Sequence, residues 1–253
     1  VAGEGPRLTP PLASAELDSL TPTLTRLEPV YETVRKVKAR LAPNRALIGF
    51  AGAPWTVATY MVAGQGSRDQ AESRRLAYSD PDRFGEIIGR IERVTFDYLS
   101  GQIEAGADAV QLFDSWAGSL GPAQFERWVI EPTARLVEWL KAEHPGIPVI
   151  GFPKGAGGKL RAYAEGTGID CVGIDETVDP VWADRELPAG FPVQGNLDPL
   201  ALIAGGEQMR DAVGRIVDAF RRRPHIFNLG HGILPDTPIA NVEQLVALVK
   251  GSE

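Results

Sequence analysis

Glu104-Ala-Gly-Ala-Asp-Ala-Val-Gln-Leu-Phe-Asp114 reads as a helix end, a glycine turn, a buried strand and a carboxylate at the strand's C-terminal tip. The same grammar returns at Glu165-Gly-Thr-Gly-Ile-Asp-Cys-Val-Gly-Ile-Asp175. Neither apolar run alternates with polar residues, which fits parallel strands covered on both faces. Counting outward gives six such runs, at 46–50, 109–113, 148–152, 171–174, 191–193 and 225–229. The spacers are long enough for crossover helices. This is the rhythm of an α/β chain built as a (β/α) barrel, where functional groups gather at the C-terminal ends of the strands. A closed barrel has eight strands, and only residues 1–20 remain upstream. Either the barrel is distorted or part of it is absent.

The spacer before Ala109 shows its boundaries. Asp80 and Pro81 offer an N-cap and a first-turn proline, and Phe84, Ile87, Ile88, Ile91, Val94 and Tyr98 recur at helical spacing as one stripe. The helix is expected to reach about Glu104, with Gly106 as a left-handed stop. A second helical spacer carries Phe125, Trp128 and Val129, then Leu136, Val137 and Leu140, with Pro132 expected to kink it. A third covers 206–222 with Met209, Val213, Ile216, Val217 and Phe220 on one face, and 242–249 reads as a closing helix.

Composition narrows the function classes. The chain has 253 residues, 43% hydrophobic and 23% charged, close to the globular norm. Its 28 glycines and 20 prolines imply many tight turns. The single cysteine, Cys171, excludes an internal disulfide and a multi-thiolate zinc site and suits a reducing compartment. It sits in a strand and reads as a small hydrophobe. A net charge of −7 argues against nucleic-acid or acidic-membrane partners. No apolar run is long enough to predict a membrane span, and no secretory signal follows Val1. A start without Met is compatible with a processed or incomplete chain.

Five strands finish in unusual text: Gly49-Phe-Ala-Gly-Ala-Pro-Trp-Thr56, Phe113-Asp-Ser-Trp-Ala-Gly-Ser119, Gly151-Phe-Pro-Lys-Gly155, Gln194-Gly-Asn-Leu-Asp-Pro199 and Asn228-Leu-Gly-His-Gly-Ile-Leu-Pro235. Glycines let backbone approach a ligand closely, and polar tips face the mouth where a barrel binds substrate. Extended to residues 49–62 and 227–233, these strings resemble the uroporphyrinogen decarboxylase family, and the resemblance runs from Gly3-Glu-Gly-Pro-Arg7 to the C-terminus.

The resemblance implies a distorted (β/α)8 TIM-type barrel, here lacking its N-terminal strand and helices, as a single domain over residues 1–253. It further implies a cytoplasmic homodimer with facing clefts and no cofactor. The implied reaction is removal of carbon dioxide from the four acetate arms of uroporphyrinogen III, giving coproporphyrinogen III. Tyr60 matches the family's cleft tyrosine, which helps hold the catalytic carboxylate and the substrate. Ser115 matches a serine that bonds a substrate carboxylate, and His231 a histidine that contacts one. Each also has a plain structural reading: Tyr60 as a core aromatic, Ser115 as a turn or N-cap serine, His231 as a loop histidine. His144 and His225 read as loop and strand-edge residues, and Lys154 and Arg68 as solvated cations. The family's central aspartate and its arginine segment belong to text preceding the match and are not found in this chain. The expectation is therefore that roughly a third of a full-length enzyme lies upstream. Departures at Ala63 and in Asp175-Glu-Thr-Val178 leave the three matched positions untouched.

Two rivals remain. The related corrinoid-linked methyltransferases bind zinc through a His-x-Cys pair and a further cysteine, whereas His231 is followed by Gly232 and Ile233. The other is a tetrapyrrole-binding or partner-dependent fragment without catalysis of its own.

Overall fold

A computed structural model describes residues 7–9, 11, 12, 17 and 21–251, so the start of the family resemblance, at residues 3–6, and most of the stretch 1–20 lie outside the described residues. Six strands pair in chain order: β1 (Ile48–Gly52), β2 (Ala109–Asp114), β3 (Val149–Pro153), β4 (Cys171–Gly173), β5 (Val193–Leu197) and β6 (His225–Leu229). Every pairing is parallel. Helix α1 (Glu28–Lys38) precedes β1. The β1 to β2 crossover holds α2 (Pro54–Ala63), α3 (Ala71–Ser79) and α4 (Pro81–Glu104). Then come α5 (Pro122–Phe125) and α6 (Glu131–Glu143) before β3, α7 (Leu160–Gly166) before β4, and α8 (Pro180–Glu186) before β5. Helices α9 (Pro199–Ala204) and α10 (Gly206–Ala219) lead to β6, and α11 (Ile239–Lys250) closes the chain. Among the described residues β1 and β6 do not pair, so this is an open sheet with the strand order of a (β/α) barrel.

Parallel register sorts side chains onto two faces. Ala51, Val110, Leu112, Val149, Val172 and Val193 are buried on the helix side. Phe50, Gln111, Phe113, Phe152, Gln194 and Ile226 share the other face, which is the barrel interior. At its centre Gln194 Nε2 donates to Gln111 Oε1 at 3.2 Å, and Phe50, Phe113 and Phe152 meet edge to face at 5.9 and 5.8 Å. Cover thins toward the edges, where Phe50 is 57% and Ile226 47% exposed. The edge of β1 is closed locally by a side chain. Gln102 of α4 accepts from the Phe50 N–H and donates to the Phe50 carbonyl, both at 3.0 Å, taking the place of a neighbouring strand.

Helix α4 follows its sequence signals. Asp80 accepts from the Arg83 N–H at 3.1 Å, Pro81 opens the first turn, and Gly106 takes φ +110°. Val94 and Tyr98 are only half-buried, however, and Glu92, Thr95 and Leu99 take the inner positions. Glu92 is held by Arg135 of α6 at 2.6 Å, although burial still raises its carboxyl above the ordinary value. Pro132 sits inside a helical run that is unbroken from Pro122 to Glu143. A π-type wide turn at Glu126–Ile130 precedes it, with the Glu131 N–H reaching back to the Glu126 carbonyl. The expected strand at 191–193 is also displaced, to Val193–Leu197, because Gln194 and Asn196 are strand residues directed inward.

Among the described residues no helix is long and apolar enough to cross a membrane. Replacing the exposed cap in Asp80→Ala should lower the unfolding free energy by about 1 kcal/mol, read from the urea midpoint at unchanged slope.

Candidate functional site

Strand β2 ends in Phe113, which faces the interior, and Asp114, which faces the helices and is fully buried. The Ala53 N–H donates to the Phe113 carbonyl at 2.9 Å, so α2 begins against the tip of β2. This places Thr56, in the first turn of α2, over Asp114. The Thr56 hydroxyl donates to Asp114 Oδ1 and accepts from the Trp116 N–H at 3.1 Å. The Trp116 carbonyl accepts from Trp55 Nε1 at 3.0 Å and from the Ser119 hydroxyl at 2.7 Å. Asp114 Oδ2 has no partner. Burial pushes the carboxyl up to about 7 despite the opposing hydrogen bonds from Thr56. Tyr163 lies beneath β3, where a Cβ on Gly151 would come within 2.5 Å of its hydroxyl. Burial and then the neighbouring Asp114 raise this phenol above its ordinary value.

Tyr60 stands one helical turn beyond Thr56, half-buried, with its ring 6.4 Å from that of Trp116. Ser115 is the residue between Asp114 and Trp116, half-buried, and its hydroxyl makes no hydrogen bond among the described residues. The structure thus brings Tyr60 and Ser115 together through Trp116. His231 belongs to a different part of the rim. It follows β6, is exposed, and lines a cavity of ≈ 350 Å³ with Phe113, Phe152, Gln194 and Asn228. Gly230 before it presses on the β4 tip: an added Cβ would lie 2.2 Å from the Glu176 nitrogen, so no side chain fits.

Further carboxylates knit the rim. Asp175 Oδ2 accepts from the Gly155 N–H at 2.7 Å and its Oδ1 from the Thr177 N–H at 2.9 Å, joining the loops after β3 and β4. Asn196 donates to the Asp175 and Val178 carbonyls at 2.9 and 2.7 Å. Lys154 is half-buried, with Nζ 3.9 Å from Glu176 Oε1, which corrects its reading as a solvated cation; Arg68 is exposed as expected. The sequence showed carboxylates at the tips of β2 and β4. It did not show that Asp114 turns from the cleft toward α2, nor that Gln111 and Gln194 meet inside.

The remaining candidates have ordinary surroundings. His144 ends α6 with Nε2 2.6 Å from the Ser100 hydroxyl. His225 pairs with the Gly195 carbonyl at 2.7 Å and packs on Phe220, and burial lowers its pKa. Cys171 is buried with its thiol pushed up to about 12, chiefly by burial. Among the described residues no group of three or more His, Cys, Asp or Glu side chains is placed to hold a metal ion.

A family model described as uroporphyrinogen decarboxylase (URO-D) matches residues 1–252. A curated uroporphyrinogen decarboxylase from Sphingopyxis alaskensis is 66% identical over 250 residues, covering 99% of this chain and 73% of the relative. One from Rhizorhabdus wittichii gives the same figures, and one from Paracoccus denitrificans is 50% identical over 254 residues, covering 99% and 74%. Among solved structures, a methyltransferase from Methanosarcina mazei has a TM-score of 0.76 at 17% identity, covering 98% of this chain and 71% of that one. A B12-independent methionine synthase from a Shewanella species has a TM-score of 0.63 at 10% identity, covering 92% and 66%. At these identities the two structures show a shared fold alone.

The native carboxyl of Asp114 sits above its unfolded value. Its contribution to stability is therefore complete below about pH 4 and is lost as pH rises through about 7. Urea titrations should show wild type losing stability relative to Asp114→Asn between about pH 4 and pH 7; a constant difference across that window would contradict the assignment.

Proposed function

This chain belongs to the uroporphyrinogen decarboxylase family, and from that premise we propose that it removes carbon dioxide from the four acetate arms of uroporphyrinogen III to give coproporphyrinogen III. The observation that carries this reading is the match to named relatives at 66% identity over 99% of the chain, which takes in every strand tip described above.

The reaction sets the demands on the site. A departing carboxylate leaves an electron pair, and a pyrrole ring protonated beforehand receives it. The protein must orient a polyanionic macrocycle and tolerate a transient positive charge on the ring. Within this chain the Tyr60 and Ser115 hydroxyls are donors for substrate carboxylates and His231 a third contact from the β6 side. The interior face between them offers Phe113 and Phe152 as apolar walls, and no cofactor is required. The single domain, the facing-cleft homodimer and the cytoplasmic setting implied by the resemblance belong to the same proposal.

One observation favours a second reading, in which the chain binds tetrapyrrole without turnover. Among the described residues the sheet is open, and its interior face is partly uncovered at Phe50 and Ile226. Anaerobic incubation with uroporphyrinogen III, followed by separation of the products by carboxylate number, discriminates between the two. Coproporphyrin recovered after oxidation supports decarboxylation. Porphyrin binding with no product supports the second reading. On the first, Tyr60→Phe, Ser115→Ala and His231→Ala should each lower kcat/KM by about 10- to 100-fold with urea midpoints near wild type, and loss from none of them would remove the site assignment.

A further inference from the structure

We propose that Asp114 is a positioning residue of this cleft that acts through Thr56, tying the Ser115–Trp116 turn to the first turn of α2 and so setting where Ser115 and Tyr60 stand. The inference rests on the cleft assignment made above.

Donor and acceptor accounting sets the direction of the link for the ionised carboxylate. A threonine hydroxyl has one proton, and a backbone N–H cannot accept, so Thr56 receives the Trp116 N–H and directs its own proton to Asp114 Oδ1. Without that acceptor the hydroxyl is free to turn its proton elsewhere. The neighbouring residue of α2 holds the following peptide, since Trp55 Nε1 donates to the Trp116 carbonyl. Two consecutive α2 side chains therefore grip Trp116 by its N–H and its C=O. Two of the three matched residues hang on that grip. Ser115 precedes Trp116 in the turn, and Tyr60, four residues after Thr56, lies on the same face of α2 with its ring beside Trp116.

Among the described residues the hydrogen bonds of the Asp114 side chain all go to Thr56. Its other oxygen has no partner, and a fully buried carboxyl with an orphaned oxygen costs stability. The main chain extends the link to the next strand. The Asp114 carbonyl accepts from the Lys154 N–H at 3.0 Å, and the Lys154 carbonyl accepts from the Gly118 N–H at 2.9 Å. Gly118 admits this contact because an added Cβ would sit 2.7 Å from the Gly155 carbonyl oxygen. The turn is held from β3 by backbone alone, while its hold from α2 runs through side chains that substitution can remove.

The test uses the whole chain with Thr56→Val, Thr56→Ser, Asp114→Leu and Asp114→Asn, the double variant Thr56→Val/Asp114→Leu, and Thr167→Val as a comparison. Thr167 is equally buried and bonds the Tyr163 carbonyl at 2.7 Å, but it follows α7 at the opposite end of the strands. Turnover of uroporphyrinogen III and titration with oxidised uroporphyrin, which does not react, are both measured. Thr56→Val and Asp114→Leu should each raise KM and the porphyrin Kd about tenfold with kcat within about threefold, as expected for loss of one buried hydrogen bond at a binding turn. Thr56→Ser and Asp114→Asn, which keep the hydroxyl and the acceptor, should stay within about threefold of wild type, and the double variant should be no worse than about twofold below Thr56→Val. If Thr56→Val does not fold, Asp114→Leu against Asp114→Asn reads the same link. Additive losses, no rescue by the conservative variants, or an equal rise in Thr167→Val would each overturn the proposal. If wild type yields no coproporphyrinogen, the proposed activity fails instead, and the porphyrin titrations still decide the positioning.

Discussion

Parallel pairing in chain order, from β1 through β6, is the constraint on which the other features depend. Because every strand runs the same way, every C-terminal tip lies on one rim, and residues as distant as Thr56, Ser115, Lys154, Glu176 and His231 come to the same end of the molecule. Parallel strands need a crossover of at least one helix, and the helices that meet this need also cover the outer face of the sheet. The rim is then knit by carboxylates that bind backbone N–H groups and hydroxyls of the preceding unit, Asp114 to α2 and Asp175 to the loop after β3.

This arrangement places polar groups where an apolar core would be more stable. Asp114, Tyr163 and Thr133 are all buried and each leaves an oxygen without a partner. On the inner face, Gln111 and Gln194 bond each other in place of packing hydrocarbon. Buried polar groups cost stability unless satisfied, and here they occur both on the helix side, at Asp114, Tyr163 and Thr133, and on the interior face, at Gln111 and Gln194. The acidic overall charge gives this chain little general attraction for a polyanion.

The β1 edge of the sheet shows how backbone accounting governs the fold. Gln102 supplies an amide where β1 has no neighbour, satisfying the N–H and C=O of Phe50 together, and Gly49 lets that side chain approach, since a Cβ there would meet Gln102 Oε1 at 3.0 Å. The Phe50 side chain meanwhile stays 57% exposed on the interior face. Satisfying backbone groups and burying apolar surface are separate requirements, and here the first is met where the second is not.

The six strands, the boundaries of α4 from Asp80 to Gly106 and the family were all legible in the amino-acid order, since each rests on local signals: unbroken apolar runs, a cap followed by proline, and contiguous strand-tip text. The extent of β5 was not, because Gln194 and Asn196 look like loop residues until the inner face gives them partners. Nor could the order show that Asp114, unlike Phe113 before it, turns to the helix side and bonds α2. Side chains along a strand alternate between faces, so the role of each depends on pairings across the sheet and on a threonine 58 residues away. Sequence determined the six-strand rhythm and the longest helices; the tertiary structure alone decided which polar groups face the interior and which face the helices, because hydrogen bonds between distant segments exist only once the strands are in register.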